Sequence, residues 1–155
     1  MDRLLARVVL LVWGAWFGGL LGVFLAVTTV FAALDPDRAT AGVLGAAIFH
    51  RAERLILVAA ALSLVGTLGL LLRQRRPARY VLLTLFAVAT LLALANTLVI
   101  TPRIDRLREA RETDTPAFRQ AHGLSMGLYS AQTLVLGLTG VVLPAALRRP
   151  HPEPA

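Results

Sequence analysis

Four long apolar runs decide what this chain can fold into. No Asp, Glu, Lys or Arg interrupts Val8–Leu34, Leu55–Leu72, Tyr80–Thr101 or Ala121–Leu147. A helix crossing a hydrocarbon core of about 30 Å needs about 20 apolar residues. In lipid every backbone N–H and C=O must be satisfied within the protein, which leaves helices or closed barrels. Uninterrupted apolar runs fit helices. The expectation is an all-α integral membrane four-helix bundle, one domain over 1–149, with spans near 4–34, 43–72, 80–101 and 121–147. The first run exceeds a signal-peptide core of about 7–15 residues, and no clean small-x-small cleavage site follows it, so it reads as a retained span. The tail 150–155 carries three prolines and reads as disordered.

Composition agrees. Hydrophobic residues make up 57% of the 155 and charged residues 16%, against about 25% charged in soluble domains. That deficit, with the long apolar runs, argues against a soluble enzyme and against a disordered chain. With no cysteine, disulfides, iron–sulfur clusters and thiol catalysis are excluded. The net charge of +7 does not read as a nucleic-acid surface. All sixteen basic residues are arginine, and most stand at the ends of apolar runs, where they set orientation. Arg3 and Arg7, the group Arg73, Arg75, Arg76 and Arg79, and Arg148 and Arg149 share one side of a four-span chain. The lysine-free, Ala- and Leu-rich composition suggests a GC-rich bacterial genome. These readings give a bacterial plasma membrane with both termini cytoplasmic.

Local signals refine the elements. Asp35 and Pro36 suit the cap and first turn of span two. A helix from Pro36 to Leu72 is about 55 Å long, so its start lies outside the core, tilts, or breaks near Gly42 and Gly45. Thr115 and Pro116 suit the start of span four. Ile104, Leu107 and Ala110 recur at helical spacing among charges, which predicts a short amphipathic helix on the membrane surface between spans three and four. A solvated linker is the alternative. Pro102 is expected to end span three. Gly14, Gly18, Gly22 and Ala26, and Gly123, Gly127 and Ala131, form small-residue stripes that predict a tight contact between spans one and four, or else a homo-oligomer. Ala59, Ser63 and Thr67 form a lesser stripe on span two. Trp16 is expected to face the bundle and Trp13 to sit in an interfacial belt.

Polar residues concentrate toward the non-cytoplasmic end. His50, Glu53 and Arg54 share one helix face, and His122, Ser125, Met126 and Tyr129 share another. Together with Asn96 and Arg103 they define a candidate polar pocket: Asn96, Arg103, His122, Ser125, Tyr129, Glu53 and Arg54. Ionisable groups within a span usually face the interior or a wet cavity. The bland alternative is a purely structural cluster. His122, His50 and Met126 form a candidate metal set, suited to Cu(I) or, through the imidazoles, to haem b.

The second half resembles the transmembrane protein 205 family and its bacterial relatives. The resemblance is carried by Asn96-Thr97-Leu98-Val99-Ile100-Thr101-Pro102-Arg103 and by Phe118-Arg119-Gln120-Ala121-His122-Gly123-Leu124-Ser125, with Gly14-Ala15-Trp16 in span one. It implies a four-helix membrane bundle and little about activity; animal members are associated with resistance to platinum drugs. The architecture is also similar to the copper-resistance D domain and to a haem-binding membrane oxidase, which by analogy makes His122 a ligand candidate. His50 departs from the family pattern. The leading expectation is a non-enzymatic membrane protein handling a small solute or metal at the polar pocket. The alternative is a haem or copper protein using His122 with or without His50. A membrane enzyme ranks below, since no H-E-x-x-H, G-x-S-x-G or phosphate loop is present, and so does a packing subunit of a larger complex, which the glycine stripes would suit.

Overall fold

The computed structural model describes residues 2–148, and side chains from Arg3 onward. The expectation for 150–155 lies outside these residues. The described chain is helical with short turns. Helix α1 spans Asp2–Ala33, α2 Arg38–Arg73, α3 Pro77–Ala95, α4 Thr101–Glu109 and α5 Pro116–Leu147, with a π-helical turn at Asn96–Ile100. Four segments are long and apolar enough to cross a membrane, α3, the π-turn and α4 counting as one. The protein is therefore an all-α, multi-pass membrane bundle.

Its residue distribution is that of a protein dissolved in lipid. Leu11, Leu55, Val65, Leu72, Leu134 and Val141 are each 70% exposed or more. Most residues on the buried face of α2 are instead small, among them Ala52, Ala59, Ala60, Ser63, Gly66 and Thr67, with Ile56, Leu70 and Leu71 beside them. Lipid tails solvate leucine as well as a protein core does, so close backbone approach at small residues drives the packing.

The helices form a ring in which α1 packs chiefly on α2, α3 on α5, and α2 on α3, while α1 meets α5 least. Both diagonals are bridged. Trp16 of α1 stacks on Phe86 of α3 at 6.2 Å and 8°, and Glu53 of α2 meets Tyr129 of α5. Trp16 thus faces the bundle as the sequence predicts. Trp13 does more than sit in a belt: it is half-buried, and its Nε1 donates to the Leu136 carbonyl at 2.9 Å.

Several local expectations change. Helix α2 begins at Arg38, capped by Asp37, whose side chain accepts from the Thr40 N–H at 3.1 Å. Asp35 is not the cap, and Pro36 lies in the turn before the helix. The helix then runs unbroken past Gly42 and Gly45. At 1.5 Å per residue its 36 residues span about 54 Å, so α2 extends well beyond the hydrocarbon.

Pro102 does not end span three. The helix continues through it, because the π-turn just before it widens the backbone where a proline ring would clash with the carbonyl four residues back. The amphipathic segment Thr101–Glu109 is therefore helical, but it extends span three rather than lying separately on the membrane. Its Ile104 is buried with Ile100 and Ala121.

The glycine stripes are the clearest correction. Gly14, Gly18, Gly22, Ala26, Gly123 and Gly127 are exposed, and an added Cβ at any of these glycines would meet nothing within 4 Å. They do not join spans one and four. The glycines that matter for packing are Gly66, where a Cβ would lie 2.7 Å from Val9, and Gly140, where it would lie 2.5 Å from the Trp13 ring. The Ala59, Ser63 and Thr67 stripe of α2 is buried.

Candidate functional site

A carboxylate lies inside the bundle at one end. Glu53 is 5% exposed. Its Oε1 accepts from Thr101 Oγ1 at 2.6 Å, from Asn96 Nδ2 at 3.2 Å and from Tyr129 O–H at 3.2 Å. The donors come from the start of α4, the π-turn and α5, so one oxygen ties three segments to α2. All three donors are neutral.

The π-turn makes this convergence feasible. Asn96 and Thr101 are five residues apart, and in a regular α-helix they would point well away from each other. In the π-turn the Thr101 N–H bonds to the Asn96 carbonyl, which brings the two positions nearer one face. Such turns recur at functional sites. Asp105 follows Thr101 by one α-helical turn and continues the same face.

His50 connects this buried group to the exterior. Its Nδ1 lies 3.9 Å from Glu53 Oε2 and its Nε2 lies 3.3 Å from Asp105 Oδ1. The side chains of His50, Asp105 and Arg108 are 43%, 32% and 31% exposed, that of Glu53 only 6%. Arg108 Nη1 donates to Asp105 at 3.1 Å. A graded series results, with Arg108, Asp105 and His50 at the accessible rim and Glu53 beneath.

The other end of the bundle is closed. Arg79, 4% exposed, donates to the carbonyls of Leu70, Gln74 and Ala146. These acceptors lie at the C-terminal ends of α2 and α5, where the helix dipole favours a cation. Sequence reasoning had counted Arg79 among loop arginines; it is a buried staple. The two ends also fix the register. Glu53 is level with Tyr129, and Leu70 is level with Ala146, so α2 and α5 keep one constant offset. Ser63 is then level with Thr139, and about 25 Å separates the Glu53 and Arg79 levels. Between them Leu82, Phe86, Leu136 and Leu143 are at most 1% exposed. The site opens toward one end only.

Just inside Glu53, Asn96 Oδ1 and Gln132 Nε2 are buried without a hydrogen-bond partner, as are the hydroxyls of Ser63 and Thr67 further in. Gln132 lies one turn beyond Tyr129 on the same face of α5.

The remaining sequence candidates lie elsewhere. Ser125 is buried one turn before Tyr129. Arg54, Arg103 and His122 are exposed, and the His122 ring stacks on Phe118 at 6.1 Å. Met126 is half-buried. Among the described residues no group of three or more His, Asp or Glu side chains converges as a metal ion requires, and both nitrogens of His50 face carboxylates. Of the proposed set of His122, His50 and Met126, His50 faces Glu53 and Asp105 whereas the exposed His122 stacks on Phe118. Sequence reasoning missed both Thr101 and Asp105. A separate groove of about 330 Å³ between α1 and α2, lined by Val12, Trp16, Gly19, Ala52, Ile56 and Leu62 among others, is almost wholly apolar.

The family described as Domain of unknown function (DUF4149) matches residues 11–113. The chain belongs to that family. The matched region holds His50, Glu53, Asn96, Thr101 and Asp105, and stops short of Tyr129. No curated protein and no solved structure matches the chain.

Proposed function

We propose that this membrane protein is non-enzymatic and takes up a small cationic solute, a proton included, at Glu53. The observation that carries the reading is a carboxylate buried among three neutral donors. A buried charge needs a counter-charge. Arg54 and Arg103 are exposed, and among the described residues the basic partner of Glu53 is the half-exposed His50 at 3.9 Å. A mobile cation is the natural complement. The arginines flanking the Arg79 end support a cytoplasmic placement of that end, so the solute arrives from the opposite side, which for a bacterial cell is the outside.

The resemblance to the transmembrane protein 205 family, whose animal members are associated with resistance to platinum drugs, makes tolerance the property to test. The test is replacement of the native gene by Glu53→Gln and by Asn96→Ala, followed by growth under acid and metal stress. The expected result is altered tolerance in both strains at normal protein levels. Unchanged growth with unchanged folding would reduce the cluster to a structural role.

The exposed face of Gly14, Gly18 and Gly22 also supports self-association in the bilayer. Mass measurement in detergent and in lipid discs tests this, with Gly18→Leu expected to abolish any dimer.

A further inference from the structure

We infer that the species exchanged at Glu53 is a proton, and that His50, held by Asp105, carries it between water and the buried carboxylate. This rests on the reading of Glu53 as a cation acceptor and adds the identity of the cation and its route.

The geometry is specific. The two nitrogens of one imidazole face two carboxylates, one at the rim and one inside. Histidine can receive a proton on one nitrogen and release another from the second. Starting from a ring protonated at Nδ1, a proton from water adds at Nε2. The Nδ1 proton then passes to Glu53 Oε2. Glu53 becomes a neutral acid, and His50 is left neutral with its proton on Nε2, donating to Asp105. One proton has entered and none is lost; the reverse sequence empties the site.

The Nδ1–Oε2 separation of 3.9 Å exceeds transfer range by about 1 Å. A small rotation of the half-exposed His50 side chain closes it. The other oxygen of Glu53 is held by its three donors, so Oε2 is the one that faces the carrier. A multivalent cation usually draws on several acidic or imidazole ligands, and among the described residues no group of three or more His, Asp or Glu side chains converges.

Charged groups approach His50 from α2 and α4. On α2 they are Glu53 and the exposed Arg51 and Arg54. On α4 they are Asp105 and, bound to it, Arg108. From α5 the phenol of Tyr129 reaches Glu53. The arginines of α1 that the structure describes, Arg3 and Arg7, sit at the opposite end of the bundle.

The experiment is infrared difference spectroscopy of the purified full chain in lipid, first across a pH titration and then after a rapid pH jump. Glu53→Gln identifies the carboxylic-acid band of Glu53. His50→Gln is expected to slow its appearance by about 100-fold while leaving its final amplitude at low pH intact. Asp105→Asn, which keeps the shape of the rim, is expected to slow it as well. An unchanged rate in both variants would overturn the relay and leave Glu53 as an acceptor fed by another route. A Glu53 band absent at every pH in the wild-type protein would overturn the proton as occupant. Altered stress tolerance of the Glu53→Gln strain would then still support a cation site.

Discussion

Glu53 was visible in the sequence as an acid sharing a helix face with His50, and Asn96 as an amide deep in a span. Tyr129 was visible by its spacing from His122 and Ser125. Thr101 was not, because its approach to Glu53 depends on the five-residue turn at Asn96–Ile100, and helical spacing rules assume a regular phase. His122 and Arg103 stood beside the deeper Asn96 in the same candidate pocket and prove exposed; the arc of a helix that faces its neighbours depends on how the helices pack. At this scale the three donors to Glu53 are separable. Tyr129→Phe removes one hydrogen bond and is expected to cost about 1–3 kcal/mol in unfolding titrations in detergent, with the fold retained. Arg79→Leu removes the hydrogen bonds to the carbonyls of Gln74 and Ala146 at the closed end, while Leu70 keeps the Gln74 N–H. It is expected to cost about 3 kcal/mol in the same assay and to leave the Glu53 infrared band in place.

Helix existence was legible from apolar run length, and the start of α5 from Thr115 and Pro116; the structure shows Thr115 accepting from the Phe118 N–H. Helix faces were less legible. In water the apolar face marks the interior, but in lipid both faces are apolar, so the stripe of Gly14, Gly18 and Gly22 gave no sign of pointing outward. Paired substitutions test this. Gly140→Ala forces a Cβ against the Trp13 ring and is expected to destabilise by about 1–3 kcal/mol. Gly18→Ala meets open space and is expected to be neutral or stabilising by up to about 1 kcal/mol. Equal costs would contradict the helix orientations. At the start of α2, the Thr40 side chain and backbone N–H hold the Asp37 carboxyl below its ordinary 3.8. A lowered native pKa means the cap contributes stability above the unfolded value and loses it as pH falls through the native one. Asp37→Asn, which caps without titrating, is expected to remove that acid-side loss at the α2 start, read by hydrogen exchange there.

At the scale of the molecule, four apolar segments enclose one polar end and one end shut by Arg79, with packed Leu and Phe between. Run length and polar asymmetry made that arrangement readable. The closure at the far end was not, because an arginine beside a loop looks the same whether it faces water or reaches back onto helix carbonyls. The absence of cysteine makes a clean test available. Single cysteines at positions 35, 50, 75 and 113 are exposed in turn, in intact cells and in inverted vesicles, to a membrane-impermeant maleimide. An even-span bundle with its carboxylate reached from one end should label 35, 50 and 113 from the same side and 75 only from the other. Labelling of 50 from the side that labels 75, or of 35 and 113 from opposite sides, would contradict it.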